Sequence, residues 1–213
     1  RLFDSLARAN VNVRAIAQGS SERNISVAVA ASDIAKALRA VHAGFYLSAL
    51  TISVGLIGPG NVGRVLLQQF EATRKRLLKQ SNIELKLCAV ANSSRMLLSD
   101  TGLDLNIVAE LLATAEAVDL DRIGEHLRSL HGPHCMMIDC SSNTEVASRY
   151  AGWLQQGIHV ITPNKQAGSG DFARYQAIQD ACQHSGARFR YEATVGAGLP
   201  IIQTTRDLLD TGD

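Results

Sequence analysis

What this chain most lacks is charge of one sign: 21 Lys and Arg stand against 20 Asp and Glu among 213 residues, a net charge of +1. So even a balance creates no field to recruit nucleic acid or an acidic membrane, and the basic cluster Arg74-Lys75-Arg76 is offset elsewhere. Long apolar runs are also missing. None reaches the ~18 residues of a membrane span. The four cysteines, Cys88, Cys135, Cys140 and Cys182, contain no C-x-x-C pair. That spacing argues against a disulfide framework or a zinc site and for reduced thiols in a cytoplasmic protein. There is no internal repeat, no low-complexity segment and no signal-peptide pattern. The chain opens at Arg1 inside an expected helix, so it is expected to be a piece of something longer.

With 46% hydrophobic and 19% charged residues the composition is that of a soluble globular protein, enough for one core plus a small module. Helical spacing of Leu2, Phe3, Leu6 and Ala9 predicts a first helix over residues 1–9. Strand-like alternation over 10–17, a turn over 18–22, alternation over 24–31 and an amphipathic helix from Ser32 to about Ala43 follow. Ser32 or Asp33 is its expected N-cap. This is a partial α+β module, assigned to residues 1–48. From residue 49 the pattern becomes βα alternation. Strands are expected at 52–57, 83–91, 136–140, 159–162 and 188–193. Helices are expected at 62–79, 144–156 and 172–185, with short helical pieces near 107–115 and 120–130. Such alternation predicts an α/β, doubly wound parallel sheet with right-handed crossovers over residues 49–213.

The most informative stretch is Val54 to Leu67, VGLIGPGNVGRVLL. An apolar strand runs into Gly58-x-Gly60-x-x-Gly63 and then into a helix, the layout of a dinucleotide-binding turn. Gly58 permits the tight turn, Gly60 lets the backbone approach a pyrophosphate and Gly63 lets the helix pack on the sheet. The phosphates would rest on the helix N-terminus at Gly60, Asn61 and Val62, where unsatisfied N–H groups and the helix dipole favour an anion.

Strand two ends in Ala91-Asn92-Ser93-Ser94-Arg95, where an NAD site presents an acid to the ribose 2′-hydroxyl. None is there. Ser93, Ser94 and Arg95 therefore lean toward NADP, with NAD possible, against the alternative of a solvated turn. Asp139-Cys140-Ser141-Ser142-Asn143-Thr144 leaves the next strand at the edge where ligands bind; Ser141 and Ser142 can touch cofactor, and Ser142 or Asn143 can equally cap the following helix. Cys140 reads as a small buried hydrophobe rather than a nucleophile. In Thr162-Pro163-Asn164-Lys165, the Lys165 ammonium is placed to bind phosphate or polarise a substrate oxygen. Glu192 with the glycine-rich Val195–Leu199 offers all-oxygen ligands to a hard cation, or is simply a tight turn. His131-Gly-Pro-His134-Cys135 reads as a loop.

The order GxGxxG, VANSSR, DCSSNTEVA, TPNK and EATVGAGLP resembles homoserine dehydrogenase, in the form fused behind an aspartokinase. LFDSLARANVNVRAIAQGSSERNISVAV resembles the end of that enzyme's ACT regulatory region. The resemblance implies a Rossmann-like fold and NADP-linked interconversion of L-aspartate 4-semialdehyde and L-homoserine, in biosynthesis of threonine, methionine and isoleucine. It implies that Lys165 lies beside nicotinamide and substrate, and that Asn92, Ser141 and Ser142 belong to the cofactor turns. Glu192, Val195, Ala197 and Leu199 match a sodium or potassium site. Gln18 matches a glutamine linked to threonine feedback. The resemblance further implies a homo-oligomeric full-length protein, and a substrate domain carrying the main catalytic lysine beyond Asp213, so that this piece alone is inactive. Two other readings stand beside it: a regulatory and assembly module binding threonine through the ACT remnant, or another NADP-dependent aldehyde reductase.

Overall fold

The structure, a computed structural model, describes residues 2–18, 24–46, 50–130 and 134–212. It divides into two compact units, Arg1–Ile52 with Arg74–Leu85 and His131–His134, and Ser53–Thr73 with Lys86–Leu130 and Cys135–Asp213.

The first unit holds helix α1 (Leu2–Arg8), strands β1 (Val13–Gln18) and β2 (Ile25–Val29) and helix α2 (Ile34–Tyr46). The two strands pair antiparallel with an irregularity between Val13 and Ala15. Leu6, Ala9, Val11, Ala37 and Ala40 form its buried cluster. Ser32 and Asp33, the expected N-caps, directly precede α2. Both fall within a 3-10 turn, Ala31–Asp33, whose N-cap is Ala30, and Asp33 N–H donates to the Ala30 carbonyl at 2.9 Å. Gln18, expected in a turn, ends β1 opposite Ile25, and residues 19–22 of that turn lie outside the described residues.

The larger sheet runs in the order β6-β5-β4-β3-β7-β8-β9. Its strands are β3 (Leu50–Ile57), β4 (Ile83–Ala91), β5 (Arg95–Leu98), β6 (Glu116–Ala117), β7 (His134–Asp139), β8 (His159–Ile161) and β9 (Phe189–Arg190). Val54 to Ile57 and Cys88 to Ala91 are buried, as central strands covered on both faces require. Helices α3 (Asn61–Ser81), α5 (Leu120–Ser129) and α9 (Phe172–Ser185) accompany short helices α4 (Val108–Ala113), α6 (Thr144–Ser148), α7 (Tyr150–Gln155) and α8 (Gln166–Ser169), and α10 (Ile201–Thr211) comes last. Asp119 caps α5 by accepting from Asp121 and Arg122 N–H, both at 3.0 Å, and Asp171 caps α9 by accepting from Ala173 N–H at 3.0 Å. Gly186, at φ 70°, ends α9 in the left-handed conformation that glycine adopts without a Cβ penalty.

Four sequence expectations are corrected. The sheet is mostly, not wholly, parallel: β5 pairs antiparallel with both β4 and β6. The cause is the Asn92–Arg95 turn, where Asn92 Oδ1 accepts from Ser94 N–H at 2.8 Å and Arg95 N–H at 2.7 Å and folds the chain into a hairpin. The helix expected over 144–156 breaks at Arg149, which ends α6 and begins α7. The strand expected over 188–193 stops at Arg190, because Thr194 N–H and hydroxyl both turn back to the Tyr191 carbonyl. His134 and Cys135, expected in a loop, open β7; residues 131–133 lie outside the described residues.

Candidate cofactor site

The three glycines after β3 do three different things. Gly58 sits at φ 81°, and a Cβ there would lie 2.8 Å from the Ser141 nitrogen, so both conformation and crowding demand glycine. A Cβ on Gly63 would lie 2.2 Å from the Gly58 oxygen, which shows how tightly the first turn of α3 presses on the strand end. Around Gly60 nothing lies within 4 Å of such a Cβ. That open space, at the N-terminus of a 21-residue helix, has the shape and dipole for a pyrophosphate. Asn61 and Val62 are its exposed first residues. Neighbouring strands hold the turn in place: Gly58 N–H donates to the Ala91 carbonyl and Cys140 N–H to the Ile57 carbonyl, both at 2.8 Å.

A cleft of about 330 Å³ opens here, lined among others by Gly58, Asn92, Ser93 and Ser141. Three turns far apart in sequence thus meet at one place. Ser94 and Ser142 are exposed and do not line it, and neither does Arg95, whose guanidinium donates to the Ala115 carbonyl at 2.8 Å. Asn143, not Ser142, caps α6, accepting from Glu145 N–H at 2.7 Å. The Ser141 hydroxyl accepts from Asn143 N–H at 3.2 Å.

Beneath the Asp139 and Thr162 turns lies a polar cluster that the sequence reading missed. Asp139, Tyr150, Thr162 and Asn164 are all buried. The Asp139 carboxylate accepts from Ser141 N–H at 2.7 Å, from Asn164 Nδ2 at 2.9 Å and from the Tyr150 hydroxyl. Thr162 donates to the Asp139 carbonyl at 2.8 Å and accepts from Asn164 N–H at 2.8 Å. Asn164 also reaches the Asn143 carbonyl at 3.0 Å. These bonds lock the carboxyl ends of β7 and β8 together and set the residue before α8, Lys165, at the exposed rim. Burial first, then the Asp139 charge, pushes the Tyr150 hydroxyl far above its ordinary value. Asparagine two residues past a strand end was visible in sequence; its partners were not.

Cys140 is half-buried, and burial followed by the Asp139 charge pushes its thiol up to about 11, so it is no nucleophile near neutral pH. At the other edge, Glu192 accepts from Ile202 N–H at 2.7 Å and Gln203 N–H at 3.1 Å, a carboxylate seated on the N-terminus of α10. Gly196 at φ 69° and Ala197 at φ 53° turn the chain between them, and Val195 and Leu199 are exposed.

The homoserine dehydrogenase NAD-binding domain matches residues 58–192, and an ACT domain matches residues 1–45. This chain belongs to the homoserine dehydrogenase NAD-binding-domain family. The bifunctional aspartokinase/homoserine dehydrogenase 1 of Zea mays, a chloroplastic protein by name, is 50% identical across 100% of this chain. The chain spans 23% of that relative's length. Among solved structures, a Candida auris protein of unknown function is 32% identical with a TM-score of 0.67, the match covering 76% of this chain and 44% of that one. A hyperthermophilic archaeal homoserine dehydrogenase in complex with NADPH shares the fold at 22% identity and TM-score 0.60, over 75% of this chain and 50% of that one. The cleft's lining from Gly58 to Arg149 falls inside the matched NAD-binding domain. Among the described residues no helix is long and apolar enough to cross a membrane.

Proposed function

We propose that the chain is the cofactor-binding part of a homoserine dehydrogenase, residues 49–213 binding NADP and residues 1–48 contributing to an ACT regulatory module. The observation that carries this reading is the division of labour among Gly58, Gly60 and Gly63: two fill space that admits no Cβ, and the third leaves open the space a pyrophosphate needs. A nicotinamide cofactor held here would supply the hydride that, together with a proton on the carbonyl oxygen, converts the aldehyde of L-aspartate 4-semialdehyde into the alcohol of L-homoserine. The chain's own residues bind and orient. Gly60, Asn61 and Val62 present backbone N–H groups to phosphate; Asn92, Ser93 and Ser141, which line the cleft, contact the ribose and phosphate portions, with Ser94, Arg95 and Ser142 outside that lining. Lys165 holds the nicotinamide and substrate side, while the main proton-moving lysine belongs to the substrate domain.

A monovalent cation, sodium or potassium, belongs to the same reading, held by the Glu192 carboxylate and the carbonyls of Val195, Ala197 and Leu199. The donor set is all oxygen, as a hard cation requires, and a carboxylate with about four lone-pair sites retains capacity beside its two N–H partners. Further parts of the proposal are threonine as effector at Gln18, a homo-oligomer and a reducing compartment. The spacing of the four cysteines, with no C-x-x-C pair, supports that compartment, which is the cytoplasm in this reading.

The test is direct. NADPH fluorescence enhancement and thermal shift are measured on the 213-residue chain; saturable binding is expected, and no response to NADPH or NADH up to millimolar concentration overturns the reading. The ACT match favours a second, regulatory role, for which calorimetry with threonine is the check. Equal heats from wild type and Gln18→Ala would remove Gln18 from the effector site.

A further inference from the structure

We infer that Asp121 determines cofactor specificity, holding down the preference of the cleft for NADP by neutralising Arg149. The inference rests on the dinucleotide reading above. In sequence, the adenosine end of the site lacks an acid, because strand β4 is followed by Asn92-Ser93-Ser94-Arg95. The tertiary structure brings acids in from elsewhere. Asp119, Asp121 and Glu145 line the same cleft as Asn92 and Ser93, and Arg149 is the one cation among the described residues lining it. The arginine that sequence places at the ribose, Arg95, has its guanidinium on the Ala115 carbonyl.

Asp119 spends Oδ1 on capping α5. Asp121 does not cap by its side chain; both its carboxylate oxygens face Arg149 Nη1, at 2.9 and 3.0 Å. The two residues stand 28 apart in sequence. Arg149 occupies the break between α6 and α7, and Asp121 the first turn of α5, so the pair joins two separately anchored elements across one wall of the cleft. Their side chains are 40% and 64% exposed, for Arg149 and Asp121, so the bond is of the weak, exchangeable kind.

A 2′-phosphate carries close to two negative charges and is matched by a guanidinium fork. To use Arg149 it must displace Asp121 and then lie beside the displaced carboxylate. A 2′-hydroxyl meets neither cost. Asp121 therefore acts against NADP selectively, while the pyrophosphate contacts at Gly60 are common to both cofactors.

Dissociation constants for NADPH and NADH are measured by fluorescence on the 213-residue chain for wild type, Asp121→Asn, Arg149→Gln and the double variant. In Asp121→Asn the NADPH-over-NADH preference is expected to rise about fivefold, the scale of a part-exposed charge interaction. Arg149→Gln in that background is expected to abolish the gain, and Arg149→Gln alone to move the ratio by less than about twofold. An equal change for both cofactors in Asp121→Asn would mean that the pair merely braces the cleft, and overturns the inference while leaving the dinucleotide site intact. A rise that survives removal of Arg149 also overturns it. If wild type binds neither cofactor, the dinucleotide reading falls and takes the inference with it. Should Asp121→Asn not fold, Asp121→Ser carries the same comparison, since Asp121 contributes to the α5 cap through its backbone N–H alone.

Discussion

The Tyr150 hydroxyl donates to the Asp139 carboxylate, and both residues are fully buried. A carboxylate in such a place is tolerated because its oxygens are all engaged: Ser141 N–H, Asn164 Nδ2 and the tyrosine together replace water.

Tyr150→Phe removes one donor and leaves an under-satisfied buried carboxylate, so unfolding free energy is expected to fall by about 1–3 kcal/mol in urea titration. The pH dependence gives a second readout. The folded tyrosine holds its proton more tightly than the unfolded one, whose pKa is about 10. Its contribution is therefore complete below about pH 10 and is lost as pH rises beyond it. The alkaline loss of stability should be shallower in Tyr150→Phe; an unchanged alkaline slope would show that Tyr150 does not titrate with unfolding.

Gly60→Ala and Gly63→Ala should separate binding from folding. At Gly60 the added methyl meets open space, so melting is expected to stay within about 3 °C of wild type while NADPH affinity falls at least about tenfold. At Gly63 the methyl meets the Gly58 carbonyl, and stability itself is expected to drop by about 2 kcal/mol or more. Differential scanning fluorimetry with and without NADPH measures both. Loss of stability in Gly60→Ala with affinity retained would reverse the assignment.

Cys140, with its thiol pushed up to about 11, should resist iodoacetamide at pH 7.5 and become modifiable only as pH approaches that value. Peptide mapping after timed alkylation reads this out. Rapid labelling of Cys140 at neutral pH in folded protein would contradict the burial described here.

Glu192→Gln keeps an acceptor at the N-terminus of α10 but removes the charge that opposes its dipole. Destabilisation of about 0.3–1 kcal/mol, confined to α10 by hydrogen exchange, is expected. The cation proposal adds that potassium or sodium stabilises wild type and not Glu192→Gln; equal stabilisation of both would remove Glu192 from the cation site.

Much of this was legible along the chain. β4 and α9 coincide with their sequence ranges, because a largely apolar strand and a helix framed by Asp171 and Gly186 carry their signals locally. The glycine turn was equally local. The β5 hairpin was missed because a four-residue strand has too short a period to register, although Asn92 offered a turn signal. The break at Arg149 has no local signature.

Sequence by itself determined the βα alternation, the three glycines, the motif order that marks the family and the absence of an acid at the end of β4. Local chemistry suffices for those, since backbone conformation and side-chain volume at one turn are set by residues a few positions apart. Only the tertiary structure decided what surrounds that turn. Asp139, Tyr150, Thr162 and Asn164 become one buried network because β7 and β8 lie side by side, and Asp121 meets Arg149 because α5 packs beside the α6–α7 break. Partners 11 to 28 residues apart interact through folding geometry, and no periodicity along the chain encodes them.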